Sequence, residues 1–573
     1  MSAPDLELLG GTPLTPVAER STEAIETGVW KYLEPRYEDT LPPCSHACPA
    51  GNDISKTLAL LATGDLSGAA RLLRAGHPLS STLGRVCPHP CEGECNRETF
   101  GGAIAIHALE RFLGDVSCGA EYAPTPTPRT GCKVAIIGSG PAGIAAAYSL
   151  ALRGHAVEVF DDKKKPGGYL RTGIPDYRLP KGILDQEIAL VEQVGVKFIQ
   201  NVRIGRDLTF AELKNRFNAV VIAVGLHAAR PLAVPGGDYP AVYDGVELLE
   251  QILLGERPRL PREMAVVGGG NTAIDVARSL RRLKVKPTIV YRRTEAEMPA
   301  IASEVEHARA EGVEFRFLAA PSKIIAKGNA VVALECQQMR LGEPDSSGRR
   351  KPVPVPGEVF RVAVSGVVSA IGETADLEFL PENLRKQIFH PSTPTPSALG
   401  TPDFTGVAGV FLAGDAATGE GTVTAAVGSG RRVAAKVDHF LHYGGAAKDE
   451  PSLQGLWQRR VNALQVADAR RLNVAYLAPE PRPKLPGKIL RAPTSFVEIA
   501  KGLSVESAMD EARRCFACGT CNGCLNCYYW CPDVAIHGSS AGELEIDSGH
   551  CKGCGICVEE CPRGAMAMQE ASR

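Results

Sequence analysis

Residues 133–150, KVAIIGSGPAGIAAAYSL, decide the architecture. An apolar run ends in Gly138, Gly140 and Gly143, spaced GxGxxG, and Pro141 and Ala142 open an alanine-rich helix. The first glycine permits a tight turn, the second lets the backbone approach a pyrophosphate, and the third lets the helix pack closely on the strand. The unpaired N–H groups of the helix N-terminus then face the phosphates. GxGxxG alone is weak evidence. Here AVEVFDD follows and ends in Asp161, 23 residues after Gly138, where an acid holds a ribose hydroxyl. The stretch from Val134 to Leu152 is as apolar as a membrane span, but its glycines and proline favour a buried strand, a turn and a packed helix. No membrane span is expected.

The strand–turn–helix pattern recurs at 264–281, where VVGGGNTAIDVARSL carries Gly268, Gly270 and Ala273 as GxGxxA. Two copies imply two dinucleotides. After the next strand, PTIVY, come Arg292 and Arg293, where the first copy has an acid. Arginines there favour a 2′-phosphate, so NADPH is expected over NADH. The first site is read as a flavin site from GVFLAGDAATGEGTVTAAVGSGRRVAAKV (409–437). A strand ends in Asp415, placed to bond a ribityl chain. A helix begins near Thr422 and turns its positive end toward the flavin pyrimidine. The PGG of 166–168, ending in Gly168, lets the chain pass close to the isoalloxazine.

Cysteine usage says where the electrons go. Of 18 cysteines, five lie between Cys44 and Cys95 and ten between Cys515 and Cys561. Such clustering indicates metal sites in preference to disulfides. CNGCLNCYYWCP and CKGCGICVEECP repeat one spacing, CxxCxxCxxxCP, the two-cluster ferredoxin pattern in which the fourth cysteine of each run serves the other cluster. One cluster is thus assigned Cys521, Cys524, Cys527 and Cys561, and the other Cys551, Cys554, Cys557 and Cys531. The N-terminal group is enough for one further cubane, with zinc as the alternative. Between 133 and 443 only Cys336 is present, which closes the redox-disulfide route. No Ser/His/Asp or zinc-type constellation is visible, and no catalytic residue is assigned.

The carriers form a logical series. A nicotinamide delivers two electrons together, a cubane accepts one, and a flavin between them converts pairs into single electrons. Near-neutral charge, with 63 Lys and Arg against 65 Asp and Glu, argues against nucleic acid as a partner. The first residues, MSAPDLELLGG, lack a basic start followed by an apolar stretch, so a cytoplasmic location is expected.

At this length several cores are needed. A multi-domain α/β chain is expected, with a helical [4Fe–4S] domain over 1–125 and an FAD domain over 126–225 and 372–443. An NAD(P) domain is inserted at 226–371. A linker follows at 444–512, then a bacterial-type 2[4Fe–4S] ferredoxin domain at 513–573. NAVVIAVG (218–225) and GVVSAIG (366–372) read as the crossings between the two Rossmann-like domains.

CSHACPAGNDI, GRVCPHPCEGEC, AIIGSGPAGIAAA, GIPDYRLPK (173–181), VVGGGNTAIDVAR and VYRRTEAEMPA together resemble the glutamate synthase small-subunit family, and the N-terminal half of dihydropyrimidine dehydrogenase is similar. The resemblance covers roughly residues 30–443. It implies FAD on Gly138, Gly140, Gly143, Asp161, Asp415 and Thr422, and NADP on Gly268, Gly270, Asn271, Thr272, Arg292 and Arg293. It also implies an N-terminal cluster on Cys48, Cys87 and Cys91 with a non-cysteine fourth ligand, at which GAIAIHALERF places Glu110. A rival fourth ligand is Cys44 or Cys95. The family has two further cysteines ahead of the position of Cys44, where this chain reads RYEDTLPP, so three clusters are expected in all. Cys515 and Cys518 stay unassigned.

The stretch FVEIAKGLSVESAMDEARRCFACGTC, leading into a ferredoxin module, resembles the branch that feeds electrons to larger enzymes. The expected function is an FAD- and iron–sulfur-dependent NAD(P)H oxidoreductase exchanging electrons with a ferredoxin or a larger low-potential enzyme subunit, for example a 2-oxoacid:ferredoxin oxidoreductase. The alternative is the small subunit of an NADPH-dependent glutamate synthase.

Overall fold

A computed structural model describes residues 26–345, 348–388, 405–443, 465–485, 487, 493–538 and 544–571. Residues 1–25, and 444–464 of the expected linker, lie outside the described residues.

Two five-stranded parallel sheets carry the nucleotide turns. The first is ordered Val410–Leu412, Ala219–Ile222, Lys133–Ile137, Ala156–Phe160, Lys197–Ile199, and the second Glu314–Phe317, Lys286–Tyr291, Glu263–Val267, Gly366–Ser369, Val242–Asp244. After an exposed first residue, Lys133 or Glu263, their central strands are apolar and buried on both faces, as parallel sheets under helices require. An antiparallel meander, Ala319–Lys327, Ala330–Pro344 and Arg350–Ala363, extends the second sheet's side of the molecule. Where the chain passes between the halves, Glu373–Thr374 pairs with Ala228–Ala229.

GIPDYRLPK docks one half on the other. Arg178 forms an ion pair with Asp275 at 2.6 Å on the helix Asn271–Arg282, and the Tyr177 ring lies under the Arg278 and Arg282 guanidinium groups, 4.6 and 3.7 Å from the centroid.

The N-terminal helices Ile54–Ala62, Leu66–Gly76 and Ile106–Val116 form a small core around Leu58, Leu61 and Leu109, while Ser80–Val86 puts Leu83 and Val86 into the core of the first sheet. Asp53 and Asp65 start the first two by accepting from Lys56 N and Gly68 N.

The two ends of the chain interlock, which differs from the sequence-based division. Leu33–Tyr37, counted with the helical domain, pairs antiparallel with Met566–Glu570 of the C-terminal module. Helix Val505–Arg513, counted in the linker, puts Ala508 and Ala512 into the N-terminal helical core. Strand pairing covers a sheet edge that would otherwise expose unpaired N–H and C=O groups, and local periodicity does not reveal the partner.

Candidate functional site

At the first turn Gly138 has φ +103°, and a Cβ there would meet the Ala223 carbonyl. A Cβ at Gly143 would overlap the Gly138 carbonyl oxygen. At Gly140, by contrast, the nearest atom to a Cβ is Gly168 Cα at 4.0 Å. That opening lies over the N-terminus of the twelve-residue helix Pro141–Leu152, whose Ala142 is buried, and it fits a pyrophosphate. Asp161 lines the adjoining crevice with Gly138, Gly168 and His227. Its carboxylate accepts from Ser139 N and Oγ, both at 2.7 Å, and from Lys163 N at 2.9 Å, so it also braces the turn.

Asp415 starts the short helix Asp415–Thr418 and accepts from Gly421 N at 3.2 Å. Burial pushes its carboxyl up to about 6. Thr422 Oγ1 accepts from Ala425 N at 3.3 Å and so caps the 21-residue helix Val423–Tyr443. Cβ atoms at Gly430 and Gly428 of this helix would overlap the Ala142 and Pro49 carbonyls, so it is wedged between the flavin-side helix and the Cys48–Pro49 loop.

The raised Asp415 value predicts a pH effect. A carboxyl whose folded pKa is raised stabilises the fold below its ordinary value near 3.8, and that contribution is lost as pH rises through about 6. In flavin-free protein Asp415→Asn is therefore expected to be more stable than wild type at pH 7, by on the order of 2–3 kcal/mol, with no gain near pH 4. It should also retain less flavin. Melting curves at the two pH values and flavin content after gel filtration test this; equal stability at both would contradict it.

At the second turn Gly268 has φ +148° and a Cβ would overlap the Ala370 carbonyl, whereas a Cβ at Gly270 meets nothing within 4 Å. Asn271 Oδ1 accepts from Ile301 N at 2.9 Å, and Thr272 Oγ1 lies 3.0 Å from Tyr169 OH, the residue after Gly168. The two arginines part company. Arg292 is exposed, while Arg293 is 5% exposed, donates to the Arg350 carbonyl at 2.8 Å and pairs with Asp345 at 2.5 Å. The hairpin thus takes up Arg293 and leaves Arg292 as the exposed one of the two expected at a 2′-phosphate. Sequence reading also passed over Glu373. Its carboxyl, beside Thr272, is pushed up by burial and by the Asp244 and Asp415 charges. No sequence motif marks it.

The thiols gather in four places. Cys48, Cys87, Cys91 and Glu110 line one cavity with Asn52, and so does Thr424 from the first turn of Val423–Tyr443. Asn52 Nδ2 donates to Glu110 Oε1 at 3.0 Å, which holds the carboxylate in the cavity wall. His89 N donates to Cys87 Sγ at 3.2 Å. Burial, with Glu110 nearby, pushes the Cys87 thiol up to about 12.

Cys521, Cys524, Cys527 and Cys561 line a second cavity, and Cys531, Cys551, Cys554 and Cys557 a third. The fourth holds Cys44 and Cys95 with Cys515 and Cys518, the cysteines that sequence reading left over. Two unassigned N-terminal thiols and a spare CxxC already made four, which was the available signal.

All these thiols are free, and among the described residues no three of their sulfurs lie within 4.8 Å of one another. Tetrahedral zinc at Zn–S of roughly 2.3 Å would need S···S near ~3.8 Å, whereas a cubane holds its thiolates wider apart. The donor sets fit iron–sulfur clusters.

The description "Pyridine nucleotide-disulphide oxidoreductase" matches residues 132–430, "Dihydropyrimidine dehydrogenase domain II, 4Fe-4S cluster" residues 38–121, and "4Fe-4S binding domain" residues 544–567. Among curated relatives, the beta subunit of the NADP(+)-dependent formate dehydrogenase of Moorella thermoacetica is 37% identical over 504 residues, 83% of this chain and 70% of the relative. The beta subunit of the NADPH-Fe(3+) oxidoreductase of Geobacter sulfurreducens is 35% identical over 506 residues, 83% of this chain and 75% of the relative. The glutamate synthase [NADPH] small chain of Azospirillum brasilense is 32% identical over 418 residues, 69% and 85%.

Proposed function

The chain belongs to the pyridine nucleotide-disulphide oxidoreductase family and is an NAD(P)H-dependent flavin and iron–sulfur oxidoreductase, and from that premise we propose that it is the electron-input subunit of a larger low-potential enzyme. NADPH is the donor, and the partner is a ferredoxin or a larger oxidoreductase subunit. Formate dehydrogenase and Fe(3+) oxidoreductase relatives that are themselves beta subunits support this reading. No described helix is long and apolar enough to cross a membrane.

One observation carries the reading. The helix Val423–Tyr443 follows the Asp415–Thr422 loop, packs its Gly430 on Ala142 of the helix that starts at Gly140, and lines the Cys48–Cys87–Cys91 cavity with its Thr424. A bound flavin supplies the conversion of a hydride pair into single electrons. In this chain Gly140 and the N-terminus of Pro141–Leu152 hold the pyrophosphate, Asp161 the ribose, and Asp415 the ribityl hydroxyls. Gly268, Gly270, Asn271 and Thr272 position the nicotinamide coenzyme, and the Tyr169–Thr272 contact aligns the two halves. Arg292 holds the 2′-phosphate. Cys48, Cys87, Cys91 and Glu110 would receive the first cluster, in the cavity that Thr424 also lines. Cys521, Cys524, Cys527 and Cys561, and Cys531, Cys551, Cys554 and Cys557, hold the pair that faces the partner.

Anaerobic NADPH should bleach the flavin band and then the iron–sulfur absorbance, and the reduced chain should in turn reduce a low-potential viologen. Flavin bleaching without any cluster reduction would overturn the proposal. Affinity purification of the tagged chain identifies the partner.

Glu110 gives a narrower test. Carboxylate is a harder donor than thiolate, and ligand identity sets cluster potential. Glu110→Ala should change the EPR signal and midpoint potential of one cluster while flavin absorbance stays as in wild type; unchanged cluster spectra would remove Glu110 from the ligand set.

A further inference from the structure

Cys44, Cys95, Cys515 and Cys518 line one cavity between the N-terminal helices and the segment entering the C-terminal cysteine runs. We propose that these four thiolates bind an additional [4Fe–4S] cluster, to which each end of the chain contributes two ligands. The electron-carrier reading above gives this cluster its purpose; the site itself stands on the four thiols.

Several observations point to a cubane. The thiols are unpaired with one another, and no three of their sulfurs approach within 4.8 Å, too open for zinc. The Cys515 loop repeats the geometry of the Cys87 loop. In each, the N–H two residues on donates to the cysteine sulfur, at 3.4 Å from Ala517 and 3.2 Å from His89. In each, that residue has positive φ, 48° at Ala517 and 43° at His89, although neither is glycine. Both loops therefore aim a backbone donor at a sulfur that carries charge when ligated. Asn96 Nδ2 points to Cys518 Sγ at 3.6 Å.

The cavity also holds a cation with a free donor. Arg97 is 2% exposed and lines the cavity, and its Nη2 donates to the Ala478 and Glu480 carbonyls. Its Nε finds no hydrogen-bond partner among the described residues. An unsatisfied buried guanidinium N–H is costly, and an anionic cluster in the cavity answers it.

The position suits a relay. Leu58 and Ile106 line both this cavity and that of Cys48, Cys87 and Cys91. On the other side, Arg563 lines the cavity of Cys521 and Cys524 and donates to the Cys515 carbonyl at 3.4 Å and to that of Phe516. A cluster here takes one electron from one neighbour, changing from the 2+ to the 1+ core, and gives it to the next with no proton or co-reactant. It bridges the flavin-side cluster and the C-terminal pair.

Iron and acid-labile sulfide in the anaerobically reconstituted full-length chain test the site. About sixteen of each per chain are expected, against about twelve for three clusters. Cys515→Ala/Cys518→Ala and, separately, Cys44→Ala should each lose about four irons, whereas Cys118→Ala loses none. Twelve irons in wild type, wild-type iron content in both ligand variants, or one zinc per chain released by Cys44→Ala would overturn the proposal. If the double variant does not fold, the wild-type count and Cys44→Ala decide. Iron content does not depend on NADPH oxidation, so a chain with sixteen irons that fails to oxidise NADPH counts against the functional reading and not against this site.

Discussion

Arg292→Ala is expected to lower kcat/KM for NADPH by on the order of 10–100-fold while leaving NADH nearly unchanged. The exposed guanidinium lies where the strand Lys286–Tyr291 ends, and its neighbour Arg293 is held by Asp345 and the Arg350 carbonyl. A charge-assisted contact to a phosphate contributes about 1.5–3 kcal/mol, which sets the range. Arg293→Ala should behave differently. It removes the link to Asp345 and the Arg350 carbonyl, so it should lower thermal stability and affect both coenzymes alike. Steady-state kinetics with NADPH and NADH separate the two arginines. Equal losses for the two coenzymes in Arg292→Ala, or an NADPH-selective loss in Arg293→Ala, would reverse the assignment.

Cys91→Ala should bring viologen and partner reduction down to background and leave flavin-to-dye transfer from NADPH in place. Cys91 is buried in the cavity that Thr424 also lines, so on the proposed route its cluster would be the first stop for electrons leaving the flavin. Loss of that stop isolates the C-terminal pair from the donor, because electron transfer through protein falls steeply with distance. Cys557→Ala, in the cavity of Cys531, Cys551 and Cys554, should spare reduction of the N-terminal site yet block the partner. Stopped-flow absorbance with NADPH reads both effects. Wild-type viologen reduction by Cys91→Ala would place the exit elsewhere.

Much of the architecture was legible because its signals are local. GxGxxG after an apolar strand constrains backbone within one turn, and the open space at Gly140 and Gly270 lies where those motifs put it. The doubled CxxCxxCxxxCP spacing encodes a loop, and even its crossed fourth ligands follow from a repeated local pattern. Arg292 and Arg293 were not separable in this way. Both sit at the right strand end, and only the neighbouring hairpin, through Asp345, decides which one is taken.

By itself, then, the sequence determined the two nucleotide folds, the flavin loop around Asp415 and the C-terminal cluster pair, since each is written in residues a few positions apart. The tertiary structure alone decided that Leu33–Tyr37 pairs with the C-terminal strand Met566–Glu570. It also decided that Cys44 and Cys95 meet Cys515 and Cys518. These are contacts between distant parts of the chain, fixed by burial of the Ala508–Ala512 helix against the N-terminal core, and no spacing along the sequence records which surface that helix will cover.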